Sequence, residues 1–132
     1  MKKAVIVVGP HFSGKSKTIN KHFKHRVGLT EEKRKFTLKG KDGYVLSQSA
    51  EEKRLSNLQD FLKRYLKYHW LVLAARPEEK DESHYKSILA ILKRNGFSVE
   101  TVIVEKDQPE SYYVGRGKSI FSHLTQVKSG AA

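Results

Sequence analysis

Ala4 to Val8 reads AVIVV, apolar at every position and largely β-branched. A strand without polar alternation has no face to turn to water, so both of its faces must be covered. Two later runs behave alike: Trp70 to Ala75 (WLVLAA), stopped by Arg76-Pro77, and Val99 to Val104. Helical spacing fills the intervals between them, and strands that alternate with helices imply parallel pairing with helices over the sheet. The expected fold class is therefore α/β, a three-layer sandwich with a mainly parallel sheet. In such sheets ligands bind beyond the carboxyl ends of the strands.

The intervals carry their own signals. From Lys15 to about His25, Ile19 and Phe23 stand four apart and can face the sheet from one side of a helix. Residues 26–34 read as a basic connector. Lys35 to Lys39 and Tyr44 to Ser47 flank Gly40-Lys41-Asp42-Gly43, whose Asp-Gly pair signals a hairpin turn. This hairpin either joins the sheet or stands outside it. Ser49 and Glu52 fit a capping box, opening a helix with Leu55, Leu58, Phe61, Leu62, Tyr65 and Leu66 on one face. A further helix is expected from about Asp81 to Asn95, ended by Gly96 in the left-handed region. Beyond Gln108 the spacing predicts a loop, then a short helix from Gly117 to about Val127. Residues 1–128 read as a single domain and 129–132 as a frayed tail.

The first strand runs directly into Gly9-Pro10-His11-Phe12-Ser13-Gly14-Lys15-Ser16, which fits G-x-x-x-x-G-K-[ST] at every defined position. Gly9 and Gly14 permit backbone conformations and a close phosphate approach that a Cβ would block. Successive N–H groups of such a loop form an anion nest, and the helix that follows adds its positive end. A chance match in a chain of this length is roughly a one-in-a-few-hundred event. On these residues the chain resembles the P-loop NTPase superfamily, tightly over 4–25 and loosely over the remaining α/β alternation. The resemblance implies a bound nucleoside triphosphate, ATP or another NTP, with Mg²⁺. It implies that Gly9, Pro10, His11, Phe12, Ser13, Gly14, Lys15, Ser16 and Lys17 line the phosphates. Lys15 would reach the β- and γ-phosphates, and the Ser16 hydroxyl would ligate the metal.

Family members also end a neighbouring strand in an acid that holds the metal. The run at 70–75 ends in Ala74-Ala75-Arg76, whereas the run at 99–104 is followed by Glu105. Glu105 is thus the candidate second metal ligand, against the plain reading of an acid at a strand end. Glu51, Glu52 and Gln48, which follow the hairpin, are lesser candidates for metal or water positioning. Arg76 is the candidate phosphate contact at a strand's carboxyl end. Arg116 and Lys118 lie in Val114-Gly115-Arg116-Gly117-Lys118-Ser119, read as a second glycine-rich basic turn able to close over phosphates. The adjacent Tyr112 and Tyr113 could stack on a base. His22 and His25 read as solvated residues of a basic helix rather than metal ligands. Glu105-Lys106-Asp107-Gln108 fails as a guanine signature, which tilts the base toward adenine or toward no strong selection.

Charge adds a separate constraint. Twenty-six Lys and Arg against fourteen Asp and Glu give a formal charge of +12, an excess that attracts polyanions such as DNA or RNA. The sequence has no cysteine, which excludes disulfides, thiolate catalysis and cysteine-bound zinc. No apolar run reaches bilayer length, and Met1-Lys2-Lys3 leads into the first strand without a signal-peptide pattern. The expectation is a cytoplasmic protein without a membrane partner. Three functions stay open: Mg²⁺-dependent NTP hydrolysis or phosphoryl transfer using Lys15, Glu105, Arg76 and Arg116; a nucleotide-gated nucleic-acid-binding module with little turnover; and a subunit of an oligomer or larger assembly whose site is completed by a neighbour's arginine.

Overall fold

The computed structural model describes residues 2–9, 14–30, 32–46, 58–76 and 85–125. Five strands form one mixed sheet: β1 (Lys2–Val8), β2 (Lys35–Leu38), β3 (Lys41–Leu46), β4 (Trp70–Ala75) and β5 (Phe97–Ile103), in the order β2-β3-β4-β1-β5. β1 lies parallel to β4 and to β5, and β3 lies parallel to β4; β2 alone runs antiparallel, to β3. Helix α1 follows β1 as one turn of α-helix over Lys15–Lys17, a π-helical stretch over Thr18–Phe23 and a 3-10 turn over Lys24–Val27. The others are α2 (Leu58–Lys63), α3 (Tyr85–Arg94) and α4 (Glu110–Thr125).

The period-two geometry of strands divides the apolar runs between two cores. Val5 and Val7 of β1, with Val72 and Ala74 of β4, face a cluster closed by Ile19 and Phe23 of α1 and by Ile120 and Leu124 of α4. Ala4, Ile6 and Val8, with Leu71 and Leu73, face a second cluster closed by Leu62 of α2 and by Ile88 and Leu92 of α3. Ile19 and Phe23 are wholly buried, as their spacing predicts, and such burial is worth about 1.5–3 kcal/mol for each side chain. Gly96, at φ 86°, ends α3 in the left-handed region as expected.

Three expectations need correction. The hairpin turns at Lys39-Gly40, both with positive φ, rather than at Asp42-Gly43. Gly43 serves a different purpose: it pairs with Phe36 across the hairpin and with Trp70 on β4, and a Cβ there would meet the Phe36 ring at 2.3 Å. The Phe36 ring fills the space that the glycine leaves, and the Trp70 indole N–H reaches the Leu38 carbonyl at 2.9 Å. This hairpin belongs to the sheet. β5 is an edge strand, not one buried throughout: Val102 is covered, whereas Thr101 and Ile103 are exposed. The last helix starts at Glu110, seven residues before the expected Gly117, so Arg116 and Lys118 lie within α4 and form no glycine-rich turn. Gly117 allows close helix packing, since a Cβ there would stand 2.5 Å from the His22 Cβ on α1. The described part of the helix expected from Asp81 begins at Tyr85, and Gln48, Ser49, Glu51, Glu52 and Leu55 lie outside the described residues. So do residues 126–132.

Candidate functional site

α1, which follows β1, packs on one face of the sheet, and α3, which follows the adjacent β4, packs on the other. The chain therefore leaves two neighbouring strands in opposite directions. A crevice opens at such a reversal, at the carboxyl edge where α/β sheets take ligands. Gly9 stands at this point, its N–H donating to the Ala75 carbonyl at 3.1 Å. Arg76 follows Ala75 on the β4 side and is half-buried. On the other side the Val104 N–H donates to the Val8 carbonyl at 2.8 Å, which brings exposed Glu105 to the same edge. Arg76, Gly9 and Glu105 thus issue from three adjacent strand ends, although they are far apart in sequence.

The glycine loop is anchored at both ends. Gly14 has φ 99°, where an L side chain is strained. A Cβ on it would also lie 2.6 Å from the Tyr113 ring of α4. Its carbonyl accepts the Thr18 N–H at 2.8 Å, which starts the helix. Lys15 is 5% exposed, and its Nζ donates to the Gly9 carbonyl at 2.5 Å. The ammonium thereby bridges from the first helical residue back to the strand end and closes the loop across its base. Residues 10–13 and the Ser16 side chain lie outside the described residues, so Pro10, His11, Phe12, Ser13 and Ser16 keep only their sequence assignment. Lys17 points elsewhere: it pairs with Glu110 of α4, and its Nζ lies 5.5 Å from the Tyr113 ring centroid.

The largest surprise against the sequence is α4's role in holding this site. The Tyr113 hydroxyl donates to the Glu105 carbonyl at 3.0 Å and accepts the Gln108 N–H at 3.3 Å. The Tyr112 hydroxyl accepts the Glu105 N–H at 3.0 Å and donates to the Ile103 carbonyl at 3.3 Å. Tyr113 is buried against Gly14, so its ring is not free to stack on a base; the hydroxyls of both tyrosines fix the backbone of Glu105. Arg116 lies over the Tyr112 ring at 5.5 Å, one turn along α4. Glu110 also accepts from His22 Nε2 at 2.6 Å, and hydrogen bonds from Lys17 and then His22 hold its carboxyl below the ordinary range. No local sequence signal marks the packing of Glu110 or Gly117 on α1, because their partners Lys17 and His22 lie about ninety positions away.

Among the described residues no group of three or more His, Cys, Asp or Glu could hold a metal ion, and no helix is long and apolar enough to cross a membrane. No family model, curated protein or solved structure matches the chain.

Proposed function

We propose that the loop from Gly9 to Ser16 binds a nucleoside triphosphate, ATP by preference, and that the chain transfers its terminal phosphoryl group to water or another acceptor. The fold would then be the three-layer arrangement of the P-loop NTPases. One observation carries the reading: the buried Lys15 ammonium bridges to Gly9 at the base of a glycine loop, at the carboxyl ends of the adjacent strands β1 and β4. A buried ammonium favours anionic neighbours, and a polyphosphate would add these to the Gly9 carbonyl that Lys15 already meets.

Roles follow from position. The loop N–H groups and Lys15 would hold the β- and γ-phosphates, and Arg76, one residue beyond β4, would offset charge that develops on the transferred group. The Tyr112 and Tyr113 hydroxyls would keep Glu105 at the opposite side of the crevice. The donor set suits a metal that arrives on the nucleotide, since Mg²⁺ keeps most of its shell in phosphate oxygens and water. The Ser16 hydroxyl and the exposed Glu105 carboxylate are the groups this chain would offer it. When bound, Mg²⁺ supplies charge neutralisation across the β- and γ-phosphates. Arg116, held over Tyr112 on α4, would act after a side-chain rotation rather than as part of a glycine lid.

Calorimetric titration of ATP, with and without Mg²⁺, into the wild type and Lys15→Ala tests this reading, followed by phosphate release on the same samples. Wild-type binding that the variant loses, together with turnover, is the expected result. Binding without turnover would remove the phosphoryl-transfer part, and no binding by the wild type would overturn the whole proposal.

A further inference from the structure

Tyrosines gather at the opposite end of the sheet, near the starts of β1 and β4. Tyr44 of β3 lies 4.8 Å from Tyr65 and 5.2 Å from Tyr68, ring centroid to centroid, and Phe61 adds a fourth ring 5.4 Å from Tyr65. All four are half-buried and pack against the rim of the second core. Tyr44 also lines an open groove of about 760 Å³ that runs along β2, with Val27, Leu29 and Phe36 as apolar wall and Lys33, Arg34 and Lys35 as cations.

The cations continue past the groove. Lys67 Nζ lies 5.5 Å from the Tyr68 ring centroid. Arg64 and Arg34 are close enough to Tyr65 to favour its phenolate, although burial, the larger effect, raises the hydroxyl pKa. His69 is held below the ordinary histidine range by burial and then by the amino terminus, Lys41, Lys2 and Lys3, which shows the sign of the local field. Among the described residues the acids of this region are Glu32 in the groove, Asp60 on α2, and Asp42, which accepts from Thr37 Oγ1 at 3.4 Å.

We propose that this surface binds single-stranded nucleic acid, with bases against Tyr44, Tyr65 and Tyr68 and backbone phosphates on Lys33, Arg34, Lys35 and Lys67. The pairing of ring faces with a row of cations is the argument. A duplex hides its base faces within the stack, and an acidic peptide meets the cations but leaves the rings without a partner. A single strand presents phosphates and bases side by side and uses both. This proposal does not depend on the nucleotide site, which lies at the carboxyl edge of the sheet.

Fluorescence anisotropy with labelled oligothymidylate of roughly 12 nucleotides, within the span of single-strand sites, provides the test. The same-length abasic strand, the corresponding duplex and polyglutamate serve as competitors. Wild-type protein should bind the oligothymidylate at about 50 mM salt, and log affinity should fall linearly with log salt. Tyr68→Ala should weaken that binding roughly tenfold while leaving the abasic strand unaffected, as expected for one lost stacking contact. Arg34→Glu and Lys67→Glu, both at exposed positions, should weaken both strands and each flatten the salt slope by about 0.7 or more. Thermal melts of every variant establish that it folds; should Tyr68→Ala fail, the two charge variants and the duplex comparison decide. Lys15→Ala should bind the strand as wild type does. The proposal is overturned by absence of binding at low salt, by equal loss of the abasic strand in Tyr68→Ala, by a duplex or polyglutamate that competes as well as oligothymidylate, or by loss of strand binding in Lys15→Ala.

Discussion

Gly14 meets two separate demands, a φ of 99° and contact with the Tyr113 ring at a distance no Cβ tolerates. Either alone resists substitution, and together they leave no compromise, because relieving the contact by moving Tyr113 would release Glu105. Gly14→Ala should therefore lose about 1–3 kcal/mol of stability through backbone strain and weaken ATP binding as well. Chemical denaturation and calorimetry on that one variant check both effects; a variant that binds and unfolds like wild type would contradict this account. The sequence marked Gly14 through its motif, and the structure adds the reason a second element needs it. Gly43 and Gly117 show the opposite case. In sequence they are turn-like glycines, but each is small because another residue, Phe36 or His22, occupies the space. Local pattern cannot separate a glycine chosen for its φ from one chosen for its volume.

Elements with strong internal periodicity were legible: β1, β4 and α3 stand close to where apolar spacing puts them, and Ile19 and Phe23 face the sheet. Where α4 begins was not legible, since Gly115 and Gly117 resemble a loop; the crossing with α1 explains Gly117, and nothing in the structure explains Gly115. The same crossing carries the ion pairs of Glu110 with Lys17 and His22. Glu110 has a depressed folded pKa, so its contribution is fully present above the ordinary carboxylate value of 4.5 and is lost as pH falls through the lower folded value. Thermal midpoints of wild type and Glu110→Gln should differ at neutral pH and converge as the medium becomes acidic. A difference that stayed constant across that range would show that the pairing adds nothing. Exposed pairs are weak, and added salt should narrow the gap further.

At the scale of the whole molecule, α4 is both wall and brace. It covers one face of the sheet through Ile120 and Leu124 and secures the glycine loop and Glu105 through Tyr113. Truncation after residue 109 would bare Val5, Val7, Ile19 and Phe23 at once. At about 1.5–3 kcal/mol for each large apolar side chain, that loss rivals the 5–15 kcal/mol typical of an entire domain. The truncated chain should show no cooperative thermal transition by circular dichroism; a sharp one would refute the assignment of α4 to the core. The α/β class could be read from the chain, because apolar runs and their order carry that information. The strand order could not, nor could the meeting of Arg76, Gly9 and Glu105, since both arise from pairing between distant segments.

One consequence concerns β2, the outermost strand on its side of the sheet. Its unpaired edge invites another strand, a common route to fibres, yet Lys33, Lys35, Lys39 and Lys41 stand along or beside this short hairpin. Two copies that approach edge to edge bring like-charged rows together, so this lysine fence opposes self-templating. The same residues would be neutralised by any polyanion that coats them. A basic edge of this kind makes colloidal behaviour conditional: the solution condition that best screens the fence is also the one in which the strand is least guarded.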